Sequence, residues 1–314
     1  MPYGVIQGEP GSGYCKGPVV FGRALCCVSE VSMQRWKIGT ITVTRVVEIE
    51  MASSIRWLLP QATRESLLEQ AWLQPHFCNA EGRAVMSIHT FVVEADGMRM
   101  LVDTCVGNDK KRQLDNWSLR QGPFLRDLAE AGFPPESIDR VLCTHLHVDH
   151  VGWNTRLRNG KWVPTFPNAR YLFARGEYQH WAKETDPSQV EVMQDSVQPV
   201  IDAGLVDLVE PDHRVTEGVR LEPTPGHTPG HVSVCISSGD ACAVITGDLM
   251  HHPIQCAHPE WPSSADSAPE LAMQTRRAFL ERHAGTPTLV LGTHFAGPAA
   301  GRIVREGGAF RLVP

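Results

Sequence analysis

With 314 residues, 42% of them apolar and 20% charged, the chain has the composition of a globular protein with ample material for a core. A formal charge of −6 offers no basic stripe to phosphate backbones, and no apolar run is long enough to span a bilayer, so neither nucleic acid nor a membrane is an expected partner. The nine cysteines, at 15, 26, 27, 78, 105, 143, 235, 242 and 256, are an odd count scattered without a Cys-x-x-Cys pair, which argues against a disulfide framework and a structural zinc knuckle and favours a reducing cytoplasm.

Residues 1–32 are rich in Gly and Pro, keep no hydrophobic period and lack the basic start of a secretory signal, so a disordered extension ahead of one domain over 33–314 is expected. Ile41 to Ile49 alternates β-branched and polar residues, as a half-buried strand requires. Between Met51 and Arg83, Trp57, Trp72 and Phe77 serve equally well as a pocket wall or as packing for a helix. Ser87 to Val93 and Met98 to Asp103 form a hairpin across Asp96-Gly97. His89, at its start, reads as a packed residue.

Trp117 to Ala131 reads as an amphipathic helix, with Leu119, Phe124, Leu125 and Leu128 toward a sheet and Gly132 at its end. Further strands fall at 141–143, 170–174, 206–209, 219–222, 232–237, 241–246, 288–291 and 310–313, and helices at 176–183 and 268–283. Cys143, Cys235 and Cys242 lie in these strands as small core residues. Periodicity thus gives mixed α and β structure with much sheet.

The chemistry is concentrated after the strand Val141–Cys143. There Thr144-His145-Leu146-His147-Val148-Asp149-His150 places three imidazoles and a carboxylate within six residues. Imidazole nitrogen and carboxylate oxygen are ligands for an ion such as Zn²⁺. His145 and His147 can converge on one ion while Asp149 and His150 point elsewhere, so one loop can feed two neighbouring metals. No Gly-x-Ser-x-Gly elbow, phosphate-binding loop or dinucleotide glycine pattern competes for the function.

The spacing His-x-His-x-Asp-His after a strand resembles the signature of the metallo-β-lactamase fold superfamily. Thr224-Pro225-Gly226-His227, Thr246-Gly247-Asp248 and Gly292-Thr293-His294 resemble its later motifs, in order. The resemblance implies a four-layer αββα sandwich with ligands on loops at one edge of two sheets. It assigns His145, His147 and His227 to one Zn²⁺, Asp149, His150 and His294 to a second, and Asp248 to both. Two such ions share a hydroxide that attacks an ester, lactone or phosphotriester bond. Asp103, in Asp103-Thr104-Cys105 where the family has Asp-Thr-Gly, is placed to orient a ligand histidine, and Cys105 stands where glycine is usual.

Within that resemblance, Trp36 to Gly39, Gly152-Trp153-Asn154 and Gly247 to His251 look closest to the lactonase and methyl-parathion-hydrolase-like branch. Asp149 and His251 are the candidate catalytic groups, His251 taking the place of a tyrosine found in related lactonases. Trp153 is the candidate substrate-facing aromatic, with core packing the rival role. His231 is expected to support the ligands, and His252, His258 and His283 to lie at the surface. The expected partner is a small-molecule substrate, with a homodimer as the assembly to test. Rival functions on the same fold are a mononuclear iron sulfur dioxygenase, a β-lactamase and a non-catalytic scaffold.

Overall fold

Residues 34–314 are described by a computed structural model; the expectation for residues 1–32 lies outside them. The first half of the chain gives β1 (Arg35–Ile38), β2 (Ile41–Ser53), β3 (Ala84–Ala95), β4 (Met98–Val102) and β5 (Arg140–Leu142). Then follow β6 (Thr155–Arg158), β7 (Lys161–Pro164), β8 (Arg170–Ala174) and β9 (Val206–Val209). The second half gives β10 (Val219–Pro223), β11 (Val232–Ser238), β12 (Ala241–Ile245), β13 (Leu289–Leu291), β14 (Ala300–Glu306) and β15 (Ala309–Val313).

Two sheets result, in the orders β1-β2-β3-β4-β5-β8-β9 and β10-β11-β12-β13-β14-β15, with β6 and β7 as a separate hairpin. The period of two along each strand explains how they stack. Phe91 and Val93 turn inward and pack with Leu221, Val234 and Ile236 of the other sheet, while Val92 between them faces outward toward Phe124 and Leu128. In the second sheet Ala243 and Ile245 face inward and Val244 outward, toward Phe279 and Leu280 of the helix Pro269–His283. The layers are therefore helix, sheet, sheet, helix, as expected.

The strand directions bring the functional loops together. β4 and β5 are parallel, so the loops after them, carrying Asp103 and His145–His150, leave by the same sheet edge. β12 and β13 are also parallel and deliver Asp248 and His294 to one edge. β11 runs antiparallel to β12, which puts the His227 turn before β11 at that edge too.

Several elements differ from the sequence expectation. The helix expected over 117–131 covers only Phe124–Glu130. Pro123 restricts the residue before it, and Leu119 has a φ of 49° and is 57% exposed, so the segment ahead of the proline is an irregular loop. Cys242 is exposed rather than a core residue. The hairpin β6–β7 turns across Asn159-Gly160, both at positive φ, a dipeptide suited to that turn.

Candidate metal centre

Seven side chains from four loops meet at the common edge of the sheets. One ligand atom from each of His145, His147, His227 and Asp248 lies within 4.8 Å of the others, and the same holds for Asp149, His150 and His294. Asp248 stands between the two groups. Its Oδ2 lies 3.3 Å from His227 Nε2 and 3.7 Å from His145 Nε2, and its Oδ1 lies 3.0 Å from His294 Nε2 and 3.3 Å from His150 Nε2. His147 Nδ1 is 3.0 Å from His145 Nε2 and 2.9 Å from His227 Nε2.

Outer contacts fix which nitrogen of each ring faces the cluster. Asp103 Oδ2 lies 2.9 Å from His150 Nδ1, and its carboxylate also accepts the Thr144 N–H and hydroxyl. His294 Nδ1 donates to the Ser87 carbonyl at 3.0 Å, and His227 Nδ1 lies 3.0 Å from Asp266 Oδ1. With Nδ1 engaged, each of these rings turns the Nε2 lone pair inward. Nitrogen lone pairs aimed at one another 3 Å apart repel unless a cation lies between them. Asp248 Oδ1 is buried with no hydrogen-bond partner, which again fits a cation. Neutral imidazole plus limited carboxylate is a donor set for a divalent ion.

The electrostatics divide the same way. Burial, reinforced by neighbouring histidines, pushes His145, His147 and His227 well below the usual imidazole range. Burial acts in the same direction on His150 and His294, but Asp248 and its neighbouring carboxylates outweigh it and raise both. Burial would raise Asp248, yet His150, His294 and His251 hold it well below the usual carboxylate range.

Backbone geometry adds to the fit. Gly247 has a φ of +56°, and a Cβ there would lie 2.5 Å from His231 Nε2. That close approach lets the Asp248 N–H donate to His231 Nε2 at 2.9 Å, while His231 Nδ1 faces Thr224. His231 therefore holds Asp248 in place, a supporting role. Cys105 has a φ of 54°, the left-handed conformation in which glycine is the unstrained residue.

Beside the cluster opens a cleft of about 380 Å³, walled by Ile49, Met51, Leu58, Met86, Ile88 and Val148 together with Trp57 and Trp117. Trp57 is 54% exposed, so it stands at the rim. His147, Asp149, His227, Asp248, His251 and His294 form the polar floor. His251 is buried, lies 3.2 Å from Asp248 Oδ2, and has no hydrogen-bond partner on either ring nitrogen.

Trp153 is not part of this wall. It is 4% exposed, stacks on Phe124 at 5.7 Å and donates from Nε1 to Glu48 at 2.6 Å. The turn after the metal loop runs inward, where Glu48 also takes the Val106 and Gly107 N–H groups. His252, expected at the surface, is fully buried, with Nε2 2.7 Å from the Phe77 carbonyl and Nδ1 accepting the Ile254 N–H. His258 and His283 are half-buried against Trp261 and Phe279. His89 is packed, as expected.

Two residues that the motifs do not mark brace the centre. Glu177, in the helix Arg175–Trp181, is buried and accepts four hydrogen bonds. Leu146 N–H and Trp181 Nε1–H reach Oε1 at 3.1 and 2.6 Å, and the Thr228 hydroxyl and Gly230 N–H reach Oε2 at 2.7 and 3.0 Å. One carboxylate thereby ties the His145 loop to the His227 loop. Asp266 is the other, and neither lies in a recognisable motif.

Fold and site define the class: a model of the metallo-beta-lactamase superfamily matches residues 83–294, and the chain belongs to that superfamily. Among individual proteins it is similar to an N-acyl homoserine lactonase of Bacillus cereus, 31% identical over 165 residues that make up 49% of this chain and 59% of the relative. A Bacillus sp. N-acyl homoserine lactonase is 27% identical over the same shares. The chain thus spans about 60% of the length of these relatives. In fold it is similar to AidC, a dizinc quorum-quenching lactonase solved with a product N-hexnoyl-L-homoserine, at a TM-score of 0.75 and 22% identity, covering 90% of this chain and 97% of that one. A hydrolase of the beta lactamase superfamily, AbOPH, matches at a TM-score of 0.73 and 23% identity with the same coverage.

Proposed function

We propose that the chain is a hydrolase dependent on two divalent ions, zinc foremost, that opens a lactone or a related neutral ester. A phosphotriester is the alternative electrophile. The observation that carries this reading is the placement of Asp248, one oxygen toward His145 and His227 and the other toward His150 and His294, at the floor of an apolar cleft. In this reading His145, His147 and His227 hold one ion, Asp149, His150 and His294 the other, and Asp248 both. When bound, such ions supply Lewis acidity that polarises a carbonyl oxygen and brings the pKa of a water from 15.7 to about 7.

The remaining work falls to side chains. Ile49, Met51, Met86 and Ile88 take up an apolar substituent and exclude water from the floor. Asp149, on the polar floor of the cleft, is placed to receive the proton of the attacking water. His251, with both ring nitrogens unpartnered, is placed to return a proton to the leaving oxygen as the carbonyl carbon–oxygen bond breaks. Relatives named as lactonases support lactone as the first substrate class to try. The complete Asp149–His150–His294 set favours two ions over the mononuclear dioxygenase alternative. The test is a panel of lactones, carboxylic esters and phosphotriesters given to zinc-loaded protein with a chelator control. Turnover of a lactone or ester that chelation abolishes is expected; no turnover of any member overturns the reading.

A further inference from the structure

We propose that Asp266, backed by Arg276, is the positioning residue that sets the tautomer of His227 and so makes its Nε2 available to a cation. The inference rests on the metal-centre reading for its consequence, but on the hydrogen-bond geometry alone for its substance.

Asp266 and Arg276 both have fully buried side chains. The Asp266 carboxylate is used on both sides. Oδ1 lies 3.0 Å from His227 Nδ1, while Oδ2 accepts the Ser263 N–H at 2.8 Å and faces Arg276 Nη2 at 3.7 Å. Arg276 cannot follow a wandering partner, because it is anchored by three backbone carbonyls. Its Nε donates to Leu249 at 2.9 Å, and its Nη1 to Pro259 at 3.0 Å and Trp261 at 2.7 Å. Its Nη2 has no hydrogen-bond partner, so the guanidinium offers Asp266 charge and a spare donor. The backbone adds a second tie: the Ser267 N–H donates to the His227 carbonyl at 2.8 Å. A buried carboxylate facing a buried guanidinium can only accept, so Nδ1 of His227 must carry the hydrogen and Nε2 the lone pair.

The isosteric variant D266N tests this sharply. Its amide has one acceptor and one donor end, and the Ser263 N–H and Arg276 both demand the acceptor on their side. The NH₂ is left facing His227 Nδ1, which must then accept, and the ring hydrogen moves to Nε2, pointing into the cluster. The shape is kept and the tautomer is reversed.

The experiment has two readouts on the full chain. Long-range ¹H–¹⁵N correlation on metal-free protein identifies the protonated nitrogen of His227, expected to be Nδ1 in the wild type and Nε2 in D266N. Competition of Zn²⁺ against a chromophoric chelator is expected to show one of two equivalents weakened roughly 10–100-fold in D266N, the other unchanged. A wild-type His227 protonated on Nε2 overturns the proposal whether or not the variant folds. So does a D266N protein that keeps Nδ1–H and binds both equivalents like the wild type. A wild type that binds no divalent ion refutes the metal-centre reading instead, and the tautomer comparison still decides the role of Asp266.

Discussion

Replacing Glu177 by Gln perturbs the centre without touching any of its donors. The carboxylate accepts two hydrogen bonds on each oxygen, and Gln can keep only one such end. The amide settles best with its NH₂ toward Thr228, whose hydroxyl can turn and accept, leaving the part-buried Gly230 N–H opposite a donor. An unsatisfied buried donor costs about 1–3 kcal/mol, and the two surviving bonds weaken by about 1 kcal/mol each on losing the charge. Against this, the variant no longer buries a carboxylate, whose protonation burial already favours by raising the Glu177 pKa. The net expectation is a loss of about 2–4 kcal/mol. For a domain of this size that lowers the midpoint of thermal unfolding by roughly 3–7 °C. Because the brace joins the His145 and His227 loops, zinc affinity should fall as well. Unfolding of metal-free and zinc-loaded E177Q, with chelator competition, measures both. Stability within 0.5 kcal/mol of wild type together with unchanged affinity would refute the view that this carboxylate holds the loops in register.

Lys110 supplies a pH signature. Its ammonium is buried over the Trp162 ring at 3.6 Å and donates to Thr155 Oγ, and burial pulls its pKa from 10.5 to about 7. The unfolded chain therefore binds this proton more tightly, so the penalty is full below pH 7 and is relieved as pH rises from 7 to 10.5. At about 1.4 kcal/mol per unit the span is on the order of 4–5 kcal/mol. Denaturation of K110M across that range should show the wild type gaining on the variant as pH rises; parallel curves would contradict the shift. H251F should cut kcat about 10²-fold, with KM and zinc content little changed; wild-type kcat would remove His251 from the chemistry. In G152A the new methyl would lie 1.9 Å from the Val106 carbonyl oxygen, so soluble, fully stable G152A would contradict the packing of the metal loop on the turn after Cys105.

How far the sequence reaches can be read from these residues. The seven donors are legible because ligand chemistry permits few residue types and the chain holds them in four short runs, each next to a strand. The layers are legible from period two, as at Phe91, Val92 and Val93. Trp153 was not, since adjacence in sequence to the metal loop says nothing of the direction a turn takes, and Glu48, which captures its N–H, lies 105 residues away. His252 reads as a polar residue near a loop, yet Phe77 and Ile254 satisfy it in the core. Glu177 and Asp266 carry no local signal because their partners are loops brought near only by the fold. The helix starts only at Phe124 because Pro123 breaks the amphipathic spacing that runs from 117 to 131.

The most direct test is metal content measured alongside catalysis. Protein loaded with zinc and freed of excess is expected to hold two ions per chain, to hydrolyse a lactone or ester, to lose that activity on chelation and to regain it on adding zinc back. H294A is expected to retain one ion and little activity. Hydrolysis that survives removal of all metal, or zinc binding untouched by loss of His294, would contradict the dinuclear centre.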